Sequence, residues 1–247
     1  ANNDLLQAHS ALMQVNMGHR LPAPASAKAA ALALGVLREI TLLEWLRDHL
    51  LAKPLAKKNA DVGFALLIGL YQIRQMRTPD HAAVKETVDL APKLKKPWAT
   101  GLLNATLRRY LRERESIDTQ LAATDASHAH PAWLLEAFRS DWPDQVARIT
   151  AANNEPGPLT LRVNANRGSR EDYLATLAVA DVGATPCEFA HMGNRIDTPT
   201  AVTELPGFND GLCTVQDEAS QLAAPLLGNV DGARVLDVCA APGGKTT

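Results

Sequence analysis

The residues best suited to chemistry stand at the end of the chain, in the run Val235-Leu236-Asp237-Val238-Cys239-Ala240-Ala241-Pro242-Gly243-Gly244-Lys245-Thr246-Thr247. An apolar strand delivers the backbone to a turn of small residues, where minimal side chains let a ligand approach main-chain N–H groups. A phosphate-binding loop is the obvious rival, since Gly244-Lys245-Thr246 matches the close of G-x-x-x-x-G-K-[ST]. That pattern needs glycine at position 239, which is Cys239, so an ATPase or GTPase reading fails on spacing. The dinucleotide pattern G-x-G-x-x-G is absent from the turn as well. What remains is a ligand-binding strand-end turn, or a plain strand-to-helix turn around a buried Cys239. Cys187, Cys213 and Cys239 are the only cysteines; widely spaced and odd in number, they fit neither a disulfide framework nor a Cys-x-x-Cys zinc site. His128 and His130 have no further ligand cluster beside them, so no metal is expected.

Cys239 to Lys245, following Val235-Leu236-Asp237, resembles the first cofactor motif of the RNA cytosine-5 methyltransferases. In that family the turn cradles the methionine part of S-adenosylmethionine (S-adenosyl-L-methionine), which implies that Cys239, Ala240, Ala241, Pro242, Gly243, Gly244 and Lys245 are cofactor-binding. The likeness extends upstream through Val215-Gln216-Asp217-Glu218-Ala219-Ser220-Gln221-Leu222, Leu205-Pro206-Gly207-Phe208 and Leu161-Arg162-Val163-Asn164. Further forward, Leu70-Tyr71-Gln72-Ile73, Met76-Arg77-Thr78-Pro79, residues 81–88 and Gly101-Leu102-Leu103-Asn104-Ala105 are similar to the NusB-like front domain of one branch. That branch is the bacterial Sun (Fmu) type, which modifies small-subunit ribosomal RNA. His130-Pro131, with Trp133-Leu134, resembles the junction that follows.

Methylation at C5 of cytosine needs a thiolate to add at C6, which makes C5 nucleophilic, and then a base to take the C5 proton. Family members place two cysteines for this in downstream Pro-Cys and Thr-Cys motifs, and neither motif occurs here. The resemblance therefore implies no catalytic residue in this chain, with the nucleophile expected beyond residue 247. Cys239, at the end of the first strand, is used by the family for packing or backbone contact. The acidic residue that would hold the cofactor ribose is likewise expected past the end. The 247 residues accordingly read as an inactive piece of an rRNA-processing enzyme, truncated within its first cofactor motif.

The elements that must position the turn can be read from periodicity. From about residue 4 to 125 the pattern is helical: Leu32, Val36, Ile40, Leu43 and Leu50 recur at three- and four-residue spacings or their sums. Phe64 to Tyr71 is apolar nearly all round, which predicts a helix at the centre of a bundle. Leu102, Leu103, Thr106, Leu107, Tyr110 and Leu111 make the inner face of a later helix, with Thr100, Asn104, Arg108 and Arg112 on another. A short helical stretch spans about 131–152, and beyond Pro158 the period changes to two, with Leu159, Leu161 and Val163 alternating with Thr160, Arg162 and Asn164. Ser169 with Asp172 reads as a capping box opening a helix that Gly183 ends. Short strands are expected near 186–190, 194–198 and 211–215, a helix over 217–227, and a buried strand over 234–238. The expected fold is multidomain: an all-α NusB-like helical RNA-binding bundle (1–128), a helical linker (129–155), a small α+β, RRM-like domain (156–215) and the first strand and turn of a Rossmann-like methyltransferase domain (216–247).

Charge is divided between the halves: residues 1–130 hold 17 Lys and Arg against 12 Asp and Glu, and residues 131–247 hold 8 against 15. The imbalance peaks over 74–114, where ten basic residues face four acidic ones, and a polyanion partner is the expectation there. Arg74, Arg77, Lys93, Lys95, Lys96, Arg108 and Arg112 are the candidate RNA-binding residues. Trp98, Tyr71 and Tyr110 could stack on bases, but at helical spacing they are expected in the core. No uninterrupted apolar stretch is long enough to span a bilayer, and the first residues have no basic start before an apolar core, so a cytoplasmic protein without a membrane partner is expected. The alternative function, a stand-alone NusB-like RNA-binding or antitermination module, would end near residue 135, whereas this chain continues into a cofactor turn.

Overall fold

The computed structural model describes residues 23–155, 157–198, 200–241 and 243–245. The helical expectation before Ala23 lies outside those residues, as does Pro242 of the expected cofactor turn. The chain divides into two compact units, one ending at Glu155 and one beginning at residue 156.

The first unit contains helices α1 (Ala23–Arg38), α2 (Ile40–Leu50), α3 (Ala60–Gln75), α4 (Asp80–Val88), α5 (Leu90–Lys93), α6 (Ala99–Ala122), α7 (Ala132–Asp141) and α8 (Val146–Asn154). The apolar run expected at the centre is α3, where Val62, Leu66, Leu67 and Leu70 are fully buried. Phe64 alone among its large apolar side chains turns outward, 57% exposed. Gly69 lets α4 and α6 close on α3, because a Cβ there would stand 2.7 Å from Thr87 Oγ1 and 3.0 Å from Leu107 Cδ1. Leu103, Leu107 and Tyr110 form the inner face of α6 as their spacing predicts, and the Tyr71 ring lies against the backbone of Gly35. Trp98 corrects the core expectation: at the foot of α6 it is 54% exposed. The single helix expected over 131–152 is two, α7 and α8, since Pro143 has no N–H to continue the ladder.

The second unit is built on a four-stranded antiparallel sheet of order β2-β3-β1-β4, with β1 Leu159–Val163, β2 Ala184–Pro186, β3 Gly193–Ile196 and β4 Cys213–Val215. Leu161 sits opposite Asn194 on one side and Val215 on the other. Leu161 and Val163 face a core that includes Tyr173 and Leu177 of α9 (Arg170–Val179). Helix α9 opens with the expected capping box: the Ser169 side chain accepts from Asp172 N, and the Asp172 side chain accepts from Ser169 N. It ends earlier than expected, at Val179 rather than just before Gly183, and Asp181 two residues on takes a left-handed conformation (φ 57°). The strand expected near 186–190 lies instead at 184–186.

Two further expectations are corrected. The helix over 217–227 shrinks to α10 (Glu218–Gln221) and a 3-10 turn at Pro225–Leu227, because Pro225 offers no N–H to the carbonyl four residues back. Residues 234–238 form no strand, and Val235, Leu236 and Val238 are 57%, 83% and 83% exposed. A strand is held by a neighbour's hydrogen-bond ladder, and none of the described strands pairs with this segment.

Candidate functional site

The turn after residue 238 is organised by its own short side chains. Cys239 N donates to Asp237 Oδ1 at 3.0 Å, and Gly243 N donates to the Ala240 carbonyl at 2.5 Å. Gly243 adopts φ 105°, which only glycine takes without strain, and a Cβ on Gly243 or Gly244 would meet nothing within 4 Å. Cys239, Ala240, Ala241, Gly244 and Lys245 are exposed, so the plain-turn reading with a buried Cys239 is corrected.

Gln216, at the end of β4, ties the turn to the sheet: its Nε2 donates to the Gly244 carbonyl at 2.6 Å, while Arg162 Nη1 reaches Gln216 Oε1 at 3.4 Å. A cleft of about 580 Å³ opens beside it, with Arg162, Asn164, Met192, Thr214, Gly243 and Gly244 among its walls. Gln221 Nε2 donates to the carbonyls of Gln216 and Leu161, and Glu218 Oε1 accepts from the backbone N–H groups of Phe189 and Ala190. Residues 215–222 thus fasten the approach to the turn onto the sheet. Sequence reasoning carried Gln216 and Glu218 only as part of a run. A polar residue in an otherwise unremarkable segment gives no local sign of the distant backbone atom it holds.

The candidate RNA-binding residues are not one patch. Arg74 turns inward: its Nη1 lies 2.5 Å from the Asp118 carboxylate and 2.5 Å from the Tyr110 hydroxyl. Burial holds the Tyr110 phenol above its ordinary pKa, so the hydroxyl stays protonated. Lys96 is also engaged, donating to Asp61 and to the Lys58 carbonyl. Arg77, Lys93, Lys95, Arg108 and Arg112 are exposed, and Arg108 Nε donates to Asn104 across one turn of α6.

The two ion pairs set the direction of the helices. Asp61 and Arg74, near the two ends of α3, meet Lys96 and Asp118, just before and near the end of α6. Helices α3 and α6 therefore run the same way, and the two pairs are separated by roughly 20 Å at 1.5 Å per residue along α3. Lys93 and Lys95 belong to one end of the unit and Arg77 to the other.

His128 and His130 serve structure: His128 Nδ1 pairs with Thr150 Oγ1 at 2.9 Å and His130 Nδ1 with the His128 carbonyl at 2.5 Å. Among the described residues no group of His, Cys, Asp and Glu could hold a metal ion, and no described helix is long and apolar enough to cross a membrane.

Residues 3–112 match the NusB family, and residues 130–203 match the ferredoxin-like domain of the RsmF/B-like methyltransferases. The chain is similar to ribosomal RNA small subunit methyltransferase B of Pseudomonas putida, 49% identical over 216 residues. The proteins of that name from Serratia proteamaculans and Escherichia coli are 43% and 41% identical over the same length. In each case 87% of this chain is covered and 50% of the relative, so the chain spans about half the length of the curated relatives it matches. A crystal structure of the protein PH0851 shares the fold, with a TM-score of 0.61 and 19% identity over 94% of this chain and 53% of that one.

Proposed function

The chain belongs to the ribosomal RNA small subunit methyltransferase B family, and from that premise we propose that the complete protein, in the cytoplasm, methylates C5 of cytosine in small-subunit ribosomal RNA. The observation that carries this reading is the fusion of a NusB bundle to the sheet unit that fastens an open, glycine-lined turn through Gln216 and Gly244. S-adenosylmethionine supplies an electrophilic methyl group. The backbone at Gly243 and Gly244 suits its amino-acid end, since no side chain occupies the space in front of either residue. Cys239, Ala240, Ala241, Pro242 and Lys245 complete that half of the proposed cofactor site.

The other half, and the nucleophilic thiolate, are proposed to lie outside these 247 residues, which by themselves transfer no methyl group. Burial raises the pKa of the Cys187 and Cys213 thiols, which suits packing rather than attack on a base. In the helical unit, the exposed Arg77, Lys93, Lys95, Arg108 and Arg112 are proposed to meet RNA phosphates, a contact that supplies affinity without reading sequence.

The test is to complete the reading frame, incubate the product with unmodified small-subunit rRNA and labelled S-adenosylmethionine, and map the label. Label on C5 of a cytosine is expected. Label on adenine, or on protein alone, would overturn the assignment.

A further inference from the structure

Two loops far apart in sequence close the same end of the helical unit. One runs from Lys53 to Asp61, between α2 and α3, and the other from Asp89 to Trp98, ahead of α6. The Lys96 ammonium joins them, donating to the Lys58 carbonyl at 2.6 Å and to Asp61 Oδ1 at 2.5 Å. Together the loops carry Lys53, Lys57, Lys58, Lys93, Lys95 and Lys96 against only Asp61 and Asp89. Asp61 is already engaged by Lys96, and the other five lysines are exposed.

Aromatic surface lies in the same place. Trp98 is 54% exposed, and its Cα is within about 7 Å of that of Lys96, the reach of two residues. Phe64, one turn along α3 from Asp61, is 57% exposed. The loop that presents the lysines is itself held in a costly shape. Lys95 sits at φ 59°, where glycine is the easy residue, while Lys95 N donates to the Pro92 carbonyl and Lys96 N to the Ala91 carbonyl. A left-handed lysine persists only where its surroundings over-determine it, and such strain gathers at binding sites.

We propose that this end of the helical unit is a binding site for single-stranded RNA, with the lysines on phosphates and Trp98 stacking on a base. The proposal rests on the reading of the protein as an rRNA methyltransferase but assigns a place and a strand state that the reading leaves open. Five exposed ammonium groups would attract any polyanion. An exposed indole among them favours an unpaired base, because the bases of a duplex are already stacked on one another.

The test uses the full 247-residue chain, a 12-nucleotide single-stranded RNA and the duplex of the same sequence. The single strand is expected to bind more tightly, with Trp98→Ala weakening it about tenfold and Trp98→Phe restoring most of the loss. Lys57→Ala with Lys58→Ala should lower the slope of log affinity against log salt by about 1.4, roughly 0.7 for each phosphate contact released. The duplex should be insensitive to Trp98→Ala. Equal affinity for strand and duplex, or no effect of Trp98→Ala, overturns the proposal. So does binding of anionic phospholipid vesicles that competes with the RNA and ignores position 98. Loss of binding on Arg108→Ala with Arg112→Ala, without loss on the lysine changes, also overturns it. That last result leaves the methyltransferase reading intact, and the methyl-mapping experiment fails or succeeds independently of all of them.

Discussion

The guanidinium of Arg74 and the carboxylate of Asp118, 44 residues apart in sequence, meet at 2.5 Å. The pair ties α3 to α6 and gives Arg74 a structural duty in place of the RNA contact its sequence neighbourhood suggests. Arg74→Ala would leave Asp118 and the Tyr110 hydroxyl short of a donor, at a cost of about 2 kcal/mol after allowing for the partial exposure of Asp118. Urea denaturation should show the loss, and Arg74→Lys should recover only part of it, since the shorter lysine side chain does not carry its nitrogen as far as Nη1, the atom that meets both acceptors. RNA affinity measured on the folded variant should change less than twofold.

Gly69→Ala should destabilise the helical unit even though alanine favours helices. The new Cβ would stand 2.7 Å from Thr87 Oγ1, and that hydroxyl is anchored to the Ala83 carbonyl at 2.8 Å in a fully buried side chain. Overpacking of about 1–3 kcal/mol opposes a propensity gain of about 1 kcal/mol. A lower thermal midpoint is the expected reading, and a higher one would mean that Thr87 yields easily.

Ser169→Ala should cost the sheet unit about 1 kcal/mol by removing the N-cap of α9. The cap also carries a pH signature. Its hydrogen bonds from Ser169 hold the Asp172 carboxyl below its ordinary value of 3.8, and Lys96 does the same for Asp61. A carboxyl with a depressed folded-state pKa contributes stability that is present above its unfolded pKa and lost as pH falls through the folded value. Stability should therefore begin to fall as pH drops toward 4 and continue falling below it. Asp172→Asn and Asp61→Asn should each flatten that acid limb in urea titrations at stepped pH.

A thiol reagent such as Ellman's should find one reactive cysteine in the native chain and three after denaturation. Cys239 is exposed, while Cys187 and Cys213 are buried and shifted toward the protonated thiol. Cys213 Sγ also lies 2.9 Å from the Tyr173 hydroxyl. Cys239→Ser should abolish the native reaction, and a second fast thiol would show that the sheet unit opens more readily than its packing implies.

Calorimetric titration of this chain with S-adenosylmethionine should show no micromolar site. The turn is fastened through Gly244, but residues 234–238 pair with none of the described strands, which would aim its N–H groups. Micromolar binding abolished by Gly243→Val would show that the half-site is sufficient.

Much of this protein is determined by local pattern. The three- and four-residue spacing of Leu103, Thr106, Leu107 and Tyr110 requires an amphipathic helix, the alternation at Leu159, Leu161 and Val163 requires a strand, and Ser169 with Asp172 caps α9 within three residues. Such features are legible because the interacting atoms belong to neighbours in the chain. At Gly243 the local pattern likewise fixes the backbone, since the φ of 105° there is one that only glycine takes without strain. Tertiary structure alone decided which charges look inward and which come together. Arg74 is drawn to Asp118, and Lys96 gathers Lys57 and Lys58 with Lys93 and Lys95 at one end, although nearly 40 residues separate the two groups. It also decided that residues 234–238, apolar as they are, form no strand. A strand's hydrogen bonds are satisfied by another segment of chain, and side-chain pattern alone cannot provide that neighbour.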